Sequence, residues 1–198
     1  MEKPQQSLIT LTLLLLFISA TSSSSAALYV SSCSHARYPP LCVRTLSAFA
    51  GTSAFAGTSA HTPSDVARAA VSAALSAARN ASSFLSSAAS TARAGRQAKA
   101  IHDCVEQISD SVDELSETLT ELRRLHPGTF KWQMGNAETW VSAALTNDDT
   151  CLDGMAASGD AAGAGAADAI KRRISGVARV TSNALYLVNR LASSSGKP

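Results

Sequence analysis

Aromatic rings are scarce in this chain. They make up 5% of it, while apolar residues reach 45%. The core therefore cannot be built from large flat side chains. Runs of β-branched residues are also scarce, so no stretch reads as a convincing strand. Alanine and serine dominate instead, which favours helices packed closely over small side chains. An excess of one charge is lacking too. The net charge is +2, and the whole-chain balance argues for neither a nucleic acid nor a membrane surface as partner.

Catalytic and metal-binding signatures are missing as well. The four histidines, His35, His61, His102 and His126, are scattered, and none has a second histidine four residues away. Neither C-x-x-C nor paired-histidine spacing occurs, which leaves a zinc site without its usual ligand set. There is no G-x-S-x-G elbow and no phosphate-cradling glycine loop. Gly163-Ala-Gly165 follows no strand and reads as linker. The sequence thus offers no catalytic residue, no metal site and no cofactor site, and an enzyme is not expected.

Residues 1–26 read as a secretory signal. Lys3 sits in a short polar head, Leu8 to Ala20 is an apolar run, and Ser24 and Ala26 supply the small residues wanted at a cut site. The run is shorter than the ~20 residues of a comfortable span. An uncleaved anchor is the competing reading, and it would waste the cut site. Residues 27–198 are then the secreted domain, with no membrane contact after cleavage. They divide into a hairpin and loop (27–60), a four-helix bundle (61–192) and a flexible tail (193–198).

An oxidising compartment changes the meaning of Cys33, Cys42, Cys104 and Cys151. Three pairings are possible in principle. The short spacing of Cys33 and Cys42 favours a local bridge, leaving Cys104 to Cys151. Chain entropy gives roughly 3 kcal/mol for the first and roughly 4 kcal/mol for the second. Asn80-Ala81-Ser82 is an acceptor for N-glycosylation, usable only if Asn80 faces solvent.

Along the chain, Ser31 to Ala50 suggests a helical hairpin broken at Tyr38-Pro39-Pro40. The hexapeptide Ala48 to Ser53 is repeated at once as Ala54 to Ser59, as in a tolerated loop insertion. Thr62-Pro63-Ser64-Asp65 starts a helix that runs to about Ser87. A long amphipathic helix is expected over Ala98 to Leu125, with Ile101, Val105, Ile108, Val112, Leu115, Leu119 and Leu122 on one face. His126-Pro127-Gly128 ends it. Asn136 is expected to cap a third helix, which Asp153-Gly154 closes or bends. Ser158 to Ala167 reads as a mobile linker, and a last helix spans about Asp168 to Leu191. The fold class is all-α, an up-down-up-down four-helix bundle.

Charge is unevenly spread over these helices. The long helix carries a column of Asp103, Glu106, Asp110, Asp113, Glu117 and Glu121. The segment Lys171 to Arg190 holds Lys171, Arg172, Arg173, Arg179 and Arg190 against no acids. The bland account of the acidic column is a solvated face. Elsewhere, however, the surface is covered with serine and alanine, so charge concentrated here suggests a grip on another protein.

Three stretches resemble the plant invertase and pectin methylesterase inhibitors. They are Cys33-(eight residues)-Cys42 with Tyr38-Pro39, Asp103-Cys104-Val105-Glu106, and Trp140-Val-Ser-Ala-Ala-Leu-Thr-Asn-Asp-Asp-Thr-Cys151-Leu-Asp-Gly154. The resemblance covers nearly all of the mature chain. It implies a four-helix bundle, a protruding N-terminal hairpin and two bridges paired in order. It also implies a partner, pectin methylesterase, gripped one to one by the second and third bundle helices over its substrate cleft. The family's contact positions fall on Glu106, Asp110, Asp113, Thr150 and Asp153. Acid invertase is the alternative target. The Pro-Lys-Phe motif of many invertase inhibitors is replaced here by Pro127-Gly-Thr-Phe130-Lys131. A non-inhibitory secreted wall protein is a further alternative.

Overall fold

The computed structural model describes residues 26–50, 62–159 and 164–194. Every described element is helical: α1 (26–33), α2 (Pro39–Ala50), α3 (Pro63–Thr91), α4 (Arg96–Arg123), α5 (Phe130–Ala157) and α6 (Ala164–Ser194). The expected signal segment, apart from Ala26, and most of the duplicated hexapeptides lie outside the described residues. Helices α3 to α6 pack in a ring, α3 on α4, α4 on α5, α5 on α6 and α6 back on α3. This is the expected four-helix bundle. Among the described residues no helix is long and apolar enough to cross a membrane, and no cluster of His, Cys, Asp and Glu could hold a metal ion.

Local chemistry explains the helix ends. Thr62 and Asp65 form a reciprocal cap, Asp65 N–H donating to Thr62 Oγ1 at 3.2 Å and Thr62 N–H to Asp65 Oδ2 at 3.0 Å. The chain turns from α3 into α4 at Gly95, whose φ of +139° suits only glycine. The stripe of α6 holds: Ile170, Ile174, Val177, Thr181, Ala184, Val188 and Leu191 are all buried. So does that of α4, where only Val105 and Val112 are half-buried rather than buried. Each large aliphatic side chain buried this way is worth about 1.5–3 kcal/mol.

Several boundaries differ from the sequence reading. Helix α5 begins at Phe130, so Asn136 is no cap; it sits inside the helix and points its amide at Glu121 Oε1, 3.5 Å away. The helix also runs through Asp153-Gly154 to Ala157, since a bare glycine weakens a helix without ending it. The linker is shorter than expected: Ser158 is buried, and α6 begins at Ala164. The segment expected as a tail overlaps this helix, and its residues 195–198 lie outside the described residues. Ser193 and Ser194 are still helical, their hydroxyls donating to Asn189 O and Leu191 O at 2.8 Å.

The bridges are Cys33–Cys42 and Cys104–Cys151. The first staples α1 to α2, and this hairpin does not protrude. Tyr29, Cys33, Cys42 and Leu46 are buried, and α2 packs on α3 and α6. Tyr38 N–H donates to Asn183 Oδ1 at 3.0 Å, while Asn183 Nδ2 donates to Tyr38 O at 3.1 Å. Arg190 Nη1 donates to Ser31 O and Ser32 O, 3.1 Å from each, meeting carbonyls that the end of α1 leaves open.

Candidate functional site

Helical spacing places Glu106, Asp110 and Asp113 on one exposed column of α4. Thr150 and Asp153 are exposed on α5, on either side of Cys151. The Cys104–Cys151 bridge holds its two backbones 4.6 Å apart, Cα to Cα. It therefore brings Thr150 and Asp153 to the Glu106 end of the column. Asp110 and Asp113 lie one and two turns further along α4. Among the described residues no hydrogen bond or ion pair engages the carboxylates of Glu106, Asp110, Asp113 or Asp153. The exposed Thr150 hydroxyl donates back to Thr146 O at 2.8 Å, which uses its one proton and leaves it able to accept.

Two other acids of α4 are used internally. Glu121 is half-buried and accepts from Gln133 Nε2 at 3.0 Å, so it does not belong to the open face. Glu114 accepts from Asn147 Nδ2 at 3.0 Å across the α4–α5 seam. Burial raises the Glu114 pKa, opposed by the Asn147 bond and assisted by Asp110 and Asp113.

Beneath the face lies a group that sequence reasoning missed. Asp148 is completely buried. Ser111 Oγ on α4 is 3.0 Å from Asp148 Oδ1 and 3.0 Å from Ala144 O. Thr181 Oγ1 on α6 is 2.9 Å from Asp148 Oδ2 and 3.1 Å from Val177 O. Each hydroxyl has one proton and two acceptors within reach. An ionised Asp148 accepts from both hydroxyls, so these two bonds favour the carboxylate, while burial favours the neutral acid. Burial pushes its pKa up to about 7, against the lowering effect of the Thr181 and Ser111 bonds; Asp149 and Glu114 add to the rise. A carboxyl near neutrality can serve as a general acid or base, but this one meets no solvent and hence no substrate. One signal was there to be read: Val141, Ala144, Asp148, Cys151 and Met155 step by three and four, so an acid occupies a core position.

The opposite end of the α4–α5 pair is pinned by Gln133, also unforeseen. Its Oε1 accepts from His126 N–H at 2.9 Å and Thr129 Oγ1 at 3.0 Å. Its Nε2 donates to Glu121 Oε2 at 3.0 Å and Arg124 O at 2.8 Å. Both lone-pair sites and both amide protons are thus used. The resulting surface is an exposed acidic face. It can accept hydrogen bonds and pair with cations. Asn80 is exposed on α3, outside this face.

Comparison with known proteins gives a consistent picture. Residues 27–187 match the family model described as plant invertase/pectin methylesterase inhibitor. Pectinesterase inhibitor 3 of Arabidopsis thaliana is 44% identical over 174 residues, covering 85% of this chain and 80% of that protein. The 21 kDa protein of Daucus carota is 35% identical over 195 residues, covering 96% and 97%. In structure, a mutant form of a pectin methylesterase inhibitor from Arabidopsis superposes with a TM-score of 0.60, covering 79% of this chain and 92% of that one at 18% identity. That likeness establishes the fold.

Proposed function

The chain belongs to the plant invertase/pectin methylesterase inhibitor family, and we propose that it is a secreted inhibitor that docks the α4–α5 face over the pectin-binding cleft of a pectin methylesterase. The observation carrying this reading is the open acidic column of Glu106, Asp110 and Asp113, with Thr150 and Asp153 tied beside its end by Cys104–Cys151. A cleft that holds a polyanion is lined with cations. Fixed carboxylates on an inhibitor can take the polyanion's place there, and such complementarity sets encounter rate and specificity. The complex is one to one, because one face fills one cleft. It forms in the cell wall, where the substrate lies. A glycan on Asn80 would stand on α3, clear of the contact.

Titration of the purified protein against a plant pectin methylesterase tests the reading, with acid invertase as the control target. Inhibition of the esterase and not of the invertase is expected. Reversing Glu106, Asp110 and Asp113 together to Lys should weaken capture on the order of a hundredfold or more. Asp110→Ala and Thr150→Ala should each weaken it more than any single change on α6. Unchanged inhibition by the triple variant would remove the docking face from consideration.

A further inference from the structure

The basic segment noted in the sequence is not used by the acidic face, and the fold gives it a surface of its own. Arg172, Arg173 and Arg179 are exposed along α6, and Arg37 is exposed on the hairpin loop that packs beside it. About 10 Å of helix separates Arg172 from Arg179 at 1.5 Å per residue. Among the described residues none of these four guanidinium groups is held in an ion pair. Three of them lie over rings instead. Arg37 and Arg179 each approach Tyr38, at 5.8 and 5.7 Å from the ring centre. Arg173 lies 4.6 Å over Phe84 of α3. Such contacts hold the guanidinium planes in place while leaving their N–H groups open.

Two shallow recesses accompany these groups. One, of about 440 Å³, is lined by Phe84, Arg172, Arg173 and Gly176. The other, of about 230 Å³, is lined by Arg37, Tyr38, Asp149 and Arg179. Asp149 is the carboxylate in the second recess, and the two arginines leave that recess positive on balance. Gly176 stands between Arg173 and Arg179 and bares the helix there; a Cβ on it would meet nothing within 4 Å. Paired guanidinium forks beside aromatic faces suit carboxylates carried on flat-sided rings, and repetition along a helix suits a repeating chain.

We propose that the outer face of α6, with Arg37 and Tyr38 of the hairpin, binds de-esterified pectin, a linear polymer of uronic acids. The choice of this polyanion rests on the proposed target, because hydrolysis of pectin methyl esters leaves such carboxylates behind. The two functional faces are then distinct. The acidic face on α4 and α5 takes the enzyme, and the basic face on α6 takes the enzyme's product. An inhibitor with both is concentrated where de-esterification has already occurred.

The test is retention of the full mature chain on immobilised polygalacturonate, with fully methylesterified pectin and polyglutamate as comparison matrices. The parent should bind polygalacturonate best and be released as salt rises. Replacing Arg37, Arg172, Arg173 and Arg179 together by Gln should weaken retention about tenfold or more, with esterase inhibition intact. Gly176→Trp, which blocks the face without altering charge, should also weaken it. On the parent, the polymer should protect these four arginines from phenylglyoxal and leave Arg123 and Arg124 reactive. Equal binding by the quadruple variant, or equal binding of the parent to methylesterified pectin or to polyglutamate, would overturn the proposal. A variant with Glu106→Gln, Asp110→Asn and Asp113→Asn should lose the esterase and keep the polymer. If the parent fails on the esterase but still binds polygalacturonate, the docking reading falls and this one stands.

Discussion

The two halves of the bundle are held together by different means. Helices α4 and α5 are joined by a disulfide, by Ser111 with Asp148, by Glu114 with Asn147, and by Gln133 with Glu121. Helices α3 and α6 also pack together, and α3 brings mostly small buried residues, Ala67, Ala70, Ala74, Ala78 and Ala81, to a core that α6 supplies with its aliphatic stripe. Directional bonds fix how far one helix may slide along another. Alanine packing fixes only how closely two helices approach, because one methyl group offers little for a neighbour to lock onto. The proposed docking face lies on the half with fixed register, as a surface that must present side chains from two helices at once requires.

The largest effect should come from Cys104→Ser with Cys151→Ser. Opening that 47-residue loop should cost about 4 kcal/mol in chemical denaturation, and the α4–α5 half should lose its advantage. The second prediction concerns pH. Asp148 binds its proton more tightly folded than unfolded, so its contribution to stability should be largest in acid and fall as pH rises from about 4 to about 7. The loss is roughly 3 kcal/mol, and Asp148→Asn should flatten that part of the curve. On the other half, the buried alanines of α3 leave little to remove, so the informative change there adds atoms. Ala74→Leu, at a fully buried site, should destabilise by about 1–3 kcal/mol through overpacking. The smallest effect is a gain. Gly154→Ala sits in α5 with open space around the new methyl, and should raise stability by about 0.5–1 kcal/mol.

The same contrast decides what could be read from the chain. The stripe of α6 and the cap at Thr62 were legible because periodicity and capping are local. The open acids Glu106, Asp110 and Asp113 were legible as a column for the same reason. Glu121 looked identical to them in sequence, and only its meeting with Gln133, twelve residues on, takes it out of the set. Asn136 resembled a cap because asparagine favours that role; nothing nearby announced that Gln133 would let α5 begin at Phe130. Asp148 sat within a run of polar residues that hid its place in the buried stripe. The fates of Glu121, Asn136 and Asp148 each depended on a partner from another helix.

The clamp between the hairpin and α6 bears on how the chain is made. Tyr38 waits for Asn183, and Ser31 and Ser32 wait for Arg190, at separations of 145 to 159 residues. Synthesis delivers the N-terminal segment well before its anchors, so the intervening helices must emerge before that segment can settle. Cys33 and Cys42, nine residues apart, can join long before then. The early crosslink keeps the waiting segment folded back on itself until the final helix arrives.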